Sequence, residues 1–384
     1  MDNWQNAGQV HWSFQHMDEL FRTTPISRGE HPPQPLPVHP TPLGDIRVTQ
    51  PDGETLTVDE VMAHTQTDGW LLTHHGSILV EEYPSGMPPS TRHLLMSVSK
   101  SLVGAVAGVL VGRGVLDPMR PLTDYVPDLE HSGYAGALVR HVLDMRSGIR
   151  FSEEYLNPEA EVRLLEQAID MAPRAHPGIP HTLYEFLLTL QQQRPHGGPF
   201  EYRSGETDIL GWVCEAAAGA RMPHLMSETL WSRLGPEEDA YIVVDRVGSG
   251  MFDGGICATV RDLARFGIML SRGGISAGGG EVVPHWWVED TLRGDSDTRQ
   301  AFADSPTHTL MPGGMYRNQF WLPYPDRDIL VCLGIHGQLI YINPGAQVVG
   351  VKLSSWPEPQ HVWKLFSTLR AFDTMAGHLA GHGL

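Results

Sequence analysis

The sequence predicts an α+β fold: an antiparallel sheet built from both chain ends, flanked by helices, with a helical lobe inserted between them. Two strand-like runs stand near the start, Trp70-Leu71-Leu72-Thr73 and Ile78-Leu79-Val80, joined at the turn His75-Gly76. Three more lie late in the chain: Ile329 to Leu333, Gln338 to Ile342 and Val348 to Leu353, the last two separated by Asn343-Pro344-Gly345. Between them, from Asp117 to Arg203, the pattern turns to helical periodicity with links rich in glycine, proline and charge. The expected division is a sheet domain over residues 1–116 and 204–384 and a helical lobe over 117–203.

In chain order, the first fifty or so residues are proline-rich (Pro32-Pro33, Pro35, Pro37, Pro40, Pro42) and read as an extended arm. Trp12, Phe14, Leu20 and Phe21 give that arm side chains that need to pack. Ser101 to Leu116 reads as a long helix, and Leu138 to Met145 and Thr182 to Gln191 as helices of the lobe. Thr207 to Ala218 is a further helix, with Gly219 placed to stop it. There is no internal repeat and no low-complexity segment.

Composition narrows the function. A chain of 384 residues with 41% hydrophobic and 19% charged residues can bury a large core and reads as a soluble globular protein. A net charge of −18 argues against a nucleic-acid partner, which requires a basic face. The acidity serves solubility or draws cationic substrates, and charge alone does not choose. Cys214, Cys257 and Cys332 form no C-x-x-C pair and sit in apolar runs, so buried free thiols and a reducing compartment are expected. The start, Met1-Asp2-Asn3-Trp4, lacks the basic and apolar regions of a leader. Leu102 to Val115 is too interrupted by glycine and Arg113 to span a bilayer. A cytoplasmic protein without a membrane partner is expected, and a homodimer is left open.

The chemistry centres on Ser97-Val98-Ser99-Lys100. Residues three apart share a helix face, so Ser97 and Lys100 can touch beside the free N–H groups of a helix start. A serine hydroxyl becomes nucleophilic when a base takes its proton. Lysine is such a base when its pKa is depressed, and the apolar flanks can bury it, so an uncharged amine is expected. Taken alone, Ser-x-x-Lys is equally an ordinary helix start with Ser97 as N-cap. Tyr202-Arg203-Ser204 offers a proton relay: a phenol beside a lysine cation ionises more readily, and Ser204 can hold the proton path. The plainer reading is a core tyrosine and a serine cap. Leu333-Gly334-Ile335-His336-Gly337-Gln338 offers a wall that a ligand can approach closely, with the N–H of Ile335 joining that of Ser97 to hold an oxyanion. His336 has no evident acid to orient it and is read as structural or pocket-lining. No H-E-x-x-H and no P-loop is present, so neither metal nor cofactor is called for.

The order Ser-x-x-Lys, Tyr-x-Ser, then a late glycine-rich strand resembles the serine β-lactamase and penicillin-binding-protein superfamily. Val142-Leu143-Asp144-Met145-Arg146-Ser147-Gly148-Ile149 and Ala258-Thr259-Val260-Arg261-Asp262-Leu263 look like its esterase and class C branch. The flanks Arg92-His93-Leu94-Leu95-Met96, Gly334-Ile335-His336-Gly337-Gln338 and Val351-Lys352-Leu353-Ser354-Ser355-Trp356-Pro357 resemble the branch that hydrolyses 6-aminohexanoate (nylon) oligomers. The resemblance implies Ser97 as nucleophile, Lys100 as its base partner, Tyr202 as relay and Ile335 as second oxyanion donor. It implies that Tyr155 lines the pocket and assists a leaving amine. Glu166, shortly after it, would suit a substrate with a free ammonium. One departure stands out: Cys332-Leu333-Gly334 occupies the place of the superfamily's Lys-Thr-Gly, so an anionic substrate would lose a contact of about 1.5–3 kcal/mol. The expected function is a serine hydrolase that cleaves linear amides and small esters through an acyl-enzyme. The alternatives are a carboxylesterase with incidental amidase activity and a non-catalytic binding protein on the same scaffold.

Overall fold

A computed structural model describes residues 3–381. Met1 and Asp2, where the segment read for a leader begins, lie outside the described residues. The main element is a seven-stranded antiparallel sheet of β1 (Thr67–His74), β2 (Ser77–Glu82), β3 (Met315–Arg317), β4 (Phe320–Leu322), β5 (Leu330–Gly334), β6 (Gln338–Asn343) and β7 (Val348–Ser354). The spatial order is β2-β1-β7-β6-β5-β4-β3, so strands from the two chain ends meet where β7 pairs with β1. His75 and Gly76 both take positive φ (50° and 80°), the geometry of the tight hairpin turn expected between β1 and β2.

Four helices frame this sheet, α1 (Val58–His64), α2 (Val98–Gly112), α4 (Val260–Ser271) and α5 (Val362–Leu379), and α3 (Ser204–Ala218) packs on α2. Alternate strand residues face opposite sides. Leu71, Ile340 and Val351 pack into the cluster that holds Leu263 and Phe266 of α4, whereas Trp70, Leu72 and Tyr341 pack with Leu369 and Phe372 of α5. With both faces covered, β1 is buried along nearly its whole length.

Helix α2 begins at Val98 and ends at Gly112, earlier at both ends than the expected Ser101 to Leu116. Gly114 then turns the chain with φ 70°. From Val98 to Leu110 the helix is buried on every side, which places it at the centre of the molecule. Gly104 permits this, because a β-carbon there would come within 2.3 Å of the Asn318 carbonyl.

Three structural features were not expected from sequence. Strands β3 and β4 form a hairpin around Asn318 and Gln319, both at positive φ (52° and 72°) without a glycine to mark the turn. A second, four-stranded sheet joins Thr23–Ile26, Ala240–Val243, Ile256–Ala258 and His93–Leu94. Its strands have four residues or fewer, too short for alternation to register. Trp12 is 46% exposed and stacks on His16 of the same arm rather than entering the core, while Phe14 is fully buried against His93 and His336.

Between α2 and α3 the chain forms the short helices Val139–Leu143, Glu161–Ala168 and Leu183–Thr189. The first stops before the expected Met145 because that residue takes φ 56°. Leu129, Val142, Leu165 and Leu187 from this region belong to the same hydrophobic cluster as α2 and α3. All three cysteines are buried and unpaired. Among the described residues no helix is long and apolar enough to cross a membrane.

Candidate active site

The short strand His93–Leu94 leads directly to Ser97, its approach fixed by the bond from Leu95 N to Ile256 O (2.9 Å). Met96 turns the chain with φ 47°, a strained conformation for a non-glycine residue, and presents Ser97 at the start of α2. The strand opposite carries Gly334, where a β-carbon would lie 2.6 Å from the Leu95 carbonyl and 3.1 Å from Met96 Cβ. Ser97 does not cap its own helix. Its Oγ accepts instead from Lys100 Nζ at 2.9 Å.

Lys100 is buried, and its Nζ donates to three acceptors: Ser97 Oγ (2.9 Å), Ser204 Oγ (3.1 Å) and the Asp253 carbonyl (2.7 Å). An ammonium has three N–H donors, so the site is saturated by the charged form. Asp253 Oδ2 stands 3.7 Å away. Burial pushes the Lys100 pKa down, but Tyr202, Asp253, Glu153 and Asp208 together outweigh it and the net shift is upward. The expected uncharged amine is therefore corrected. Burial was read from the sequence, but the acids that counter it were not.

Tyr202 sits in the loop just before α3. Its ring lies over Lys100, with Nζ 5.2 Å from the centroid, stacks on Trp321 and meets Tyr316 edge-on. Burial raises its pKa, the Lys100 charge opposes that rise and Glu153 adds to it, and the net shift is upward. Arg203 beside it is buried and anchored to Glu201 and Glu206, which fixes the backbone that carries the phenol. Ser204 opens α3, its N–H donating to Glu153 Oε1 and its Oγ accepting from Lys100.

Ser97, Tyr202 and Tyr155 line a cavity of about 290 Å³ with Trp321, Leu333, Ile335 and Trp356. Among the described residues neither lysine nor arginine lines it. The backbone N–H groups of Ser97 and Ile335 enter no turn, loop or cap bond among the described residues. The Tyr155 hydroxyl donates to Glu153 Oε2 (2.6 Å), leaving its oxygen lone pairs free for a donor in the cavity.

Two expected residues lie elsewhere. Glu166 does not line this cavity. It is buried beside an adjoining cleft, with Oε1 2.8 Å from Arg163 Nη1 and also accepting from Gln5. Arginine three residues earlier on the same helix face already neutralises it. His336 lines that same cleft, not the Ser97 cavity. Its Nδ1 meets the Trp356 carbonyl at 2.6 Å, and burial lowers its pKa to about 4.

Sequence reasoning missed Glu153, Asp208 and Asp253. Glu153 was signalled only by standing two residues before Tyr155. Asp208 was hidden in a helical pattern, and Asp253 in Phe252-Asp253-Gly254-Gly255, where glycines mark a loop and the acid carries no spacing signature.

With this geometry in place, the similarities to known proteins are consistent. The 6-aminohexanoate-dimer hydrolase of Paenarthrobacter ureafaciens is 40% identical over 362 residues, covering 94% of this chain and 88% of that protein. A solved Bacillus anthracis structure, provisionally named 6-aminohexanoate-dimer hydrolase, superposes with a TM-score of 0.90 at 26% identity, covering 100% of this chain and 97% of that one. A family VIII carboxylesterase shares the fold alone, with a TM-score of 0.62 at 15% identity over 84% of this chain and 96% of that one. The chain is a hydrolase of the beta-lactamase family, whose profile it matches over residues 54–365.

Proposed function

We propose that the protein is a serine hydrolase that cleaves linear amides and small esters through an acyl-enzyme, with Ser97 as nucleophile. The observation that carries this reading is the 2.9 Å contact between Lys100 Nζ and Ser97 Oγ, beside Tyr202 and at the edge of an apolar cavity. As Ser97 Oγ attacks the carbonyl, its proton passes to the ionised form of Tyr202, a minor form at rest because burial holds the phenol's pKa up, and Lys100 stabilises that charge. The N–H groups of Ser97 and Ile335 hold the oxyanion. Tyr202 then protonates the departing nitrogen or oxygen. Water enters and loses a proton to Tyr202 as it attacks the acyl-enzyme, and Tyr202 returns that proton to Ser97 Oγ as the acid leaves. Tyr155, its proton held by Glu153, accepts an N–H of the leaving amine.

The apolar lining of the cavity favours an apolar acyl chain. Glu153, and the absence of lysine and arginine from its lining among the described residues, disfavour an anionic one. That fits amides of the 6-aminohexanoate type and fits β-lactams poorly. The apolar lining equally supports the second reading, a carboxylesterase with incidental amidase activity. A cytoplasmic setting suits the three unpaired buried thiols.

Intact-mass measurement after fluorophosphonate treatment tests the nucleophile: one adduct on the wild type and none on a folded Ser97→Ala variant are expected. An adduct that survives Ser97→Ala ends the proposal, and so does a folded wild type that takes none, which would leave a binding protein. A panel of 6-aminohexanoate oligomers, short-chain esters and a cephalosporin then separates amidase from esterase.

A further inference from the structure

Two buried carboxyl groups beneath the nucleophile have no role in the reaction as derived above. Asp208 on α3 and Asp253 on the loop after Ala240–Val243 are both buried. Asp208 Oδ1 accepts the N–H groups of Phe252 (2.9 Å) and Asp253 (3.1 Å), which brings the two residues together. Asp208 Oδ2 and Asp253 Oδ1 are both buried without a protein hydrogen-bond partner, while Asp253 Oδ2 faces Lys100 at 3.7 Å. Two adjacent carboxylates in an apolar interior cannot both keep their charge when one cation faces them. A proton on Asp208 relieves the repulsion and leaves the negative charge on the residue that touches the ammonium.

We propose that Asp208 and Asp253 together retain one proton, held by Asp208, and that the remaining charge on Asp253 is a positioning element that keeps Lys100 an ammonium and thereby sets the pH at which Tyr202 becomes a base. The direction of the ionisation equilibria agrees: burial and Asp253 drive the Asp208 pKa well upward, and Asp253 supports the protonated Lys100. The other titratable groups facing Lys100 are Tyr202 and Glu153. Losing the first proton from the Lys100–Tyr202 pair switches the enzyme on. An anion beside that pair makes the proton harder to lose and holds the acid limb of the rate profile at higher pH.

This inference rests on the serine hydrolase reading, and its test begins only with a wild type that turns over. The measurement is kcat/KM against pH on a neutral butyrate ester, for the wild type, Asp253→Asn and Asp208→Asn. Asp253→Asn is expected to move the acid limb down by about one to three pH units. Asp208→Asn replaces a neutral acid by a neutral amide and is expected to leave the limb within about 0.3 unit, because the net charge beside the pair stays the same. A residue that merely supported the loop would lower the rate without moving the limb. If Asp253→Asn does not fold, the infrared difference spectrum of wild type minus Asp208→Asn at neutral pH decides. It is expected to show the stretch of a protonated carboxyl group. An unmoved limb in folded Asp253→Asn, an equal shift in both variants, or loss of an ionised carboxylate in the difference spectrum would each overturn the inference. Failure of the hydrolase reading looks different, because it leaves a wild type with no turnover and no Ser97 adduct.

Discussion

Trp321 stacks on Tyr202 with ring centroids 5.3 Å apart and planes 26° from parallel. Tyr316 meets both rings edge-on, so the phenol is held between two strands of one hairpin. An aromatic contact of this kind is worth about 0.5–1.5 kcal/mol beyond the area it buries. Trp321→Ala should therefore lower kcat about tenfold while the protein still folds, and Trp321→Phe should recover most of it. Steady-state kinetics with a circular-dichroism check reads this. An unchanged kcat in the alanine variant would show that the stack does not orient the phenol.

As the proposed relay, Tyr202 should matter more for amides than for esters. An amine must be protonated as it departs, whereas an alkoxide leaves more readily. Tyr202→Phe is expected to reduce amide hydrolysis by about 10²–10⁴-fold, and ester hydrolysis clearly less. The check is kcat/KM for a matched amide and ester with the same acyl group. Equal losses would count against an amidase.

Gly334→Ala should damage the site through geometry alone. The added carbon would stand 2.6 Å from the Leu95 carbonyl, and backbone on that side cannot move without displacing Met96 and Ser97. A destabilisation of about 1–3 kcal/mol is expected, with a loss of activity larger than the fall in melting temperature explains. Calorimetry and acylation rates on the same sample separate the two effects.

His336 should contribute to acid sensitivity. Its ring is fully buried and burial lowers its pKa to about 4, against 6.5 for a free imidazole. Above 6.5 neither state holds the proton, and there is no penalty. As pH falls from 6.5 to about 4 the unfolded chain binds a proton that the folded chain excludes, so stability declines over that window and the loss is complete below it. The full difference is about 3 kcal/mol. His336→Asn tolerates the residue's φ of 60° and cannot titrate. Its melting temperature should fall less steeply between pH 7 and 4 than that of the wild type. Parallel slopes would show that other groups govern acid unfolding.

The parts of this protein that could be read from sequence were those with a periodic or spaced signature. The hairpin at His75-Gly76, the late strands and the stop at Gly219 each carried one, and so did Ser97, Lys100 and Tyr202. The charge on Lys100 could not be read, because it depends on Asp253, more than a hundred residues away and held close by Asp208 of α3, which packs on α2. The neutralisation of Glu166 by Arg163 was local and legible in principle, since three residues separate them on one helix. The second sheet was hidden because its strands are too short to show a period.

Lys100 Nζ takes its acceptors from its own helix, from the start of α3 and from the loop that carries Asp253. Those segments keep their spacing only while the whole interior is assembled. Loosening any one of them leaves the ammonium short of an acceptor before secondary structure melts. Catalytic competence should thus vanish early on a denaturant ramp, ahead of the helical signal, which makes turnover a more sensitive gauge of native order in this enzyme than spectroscopy.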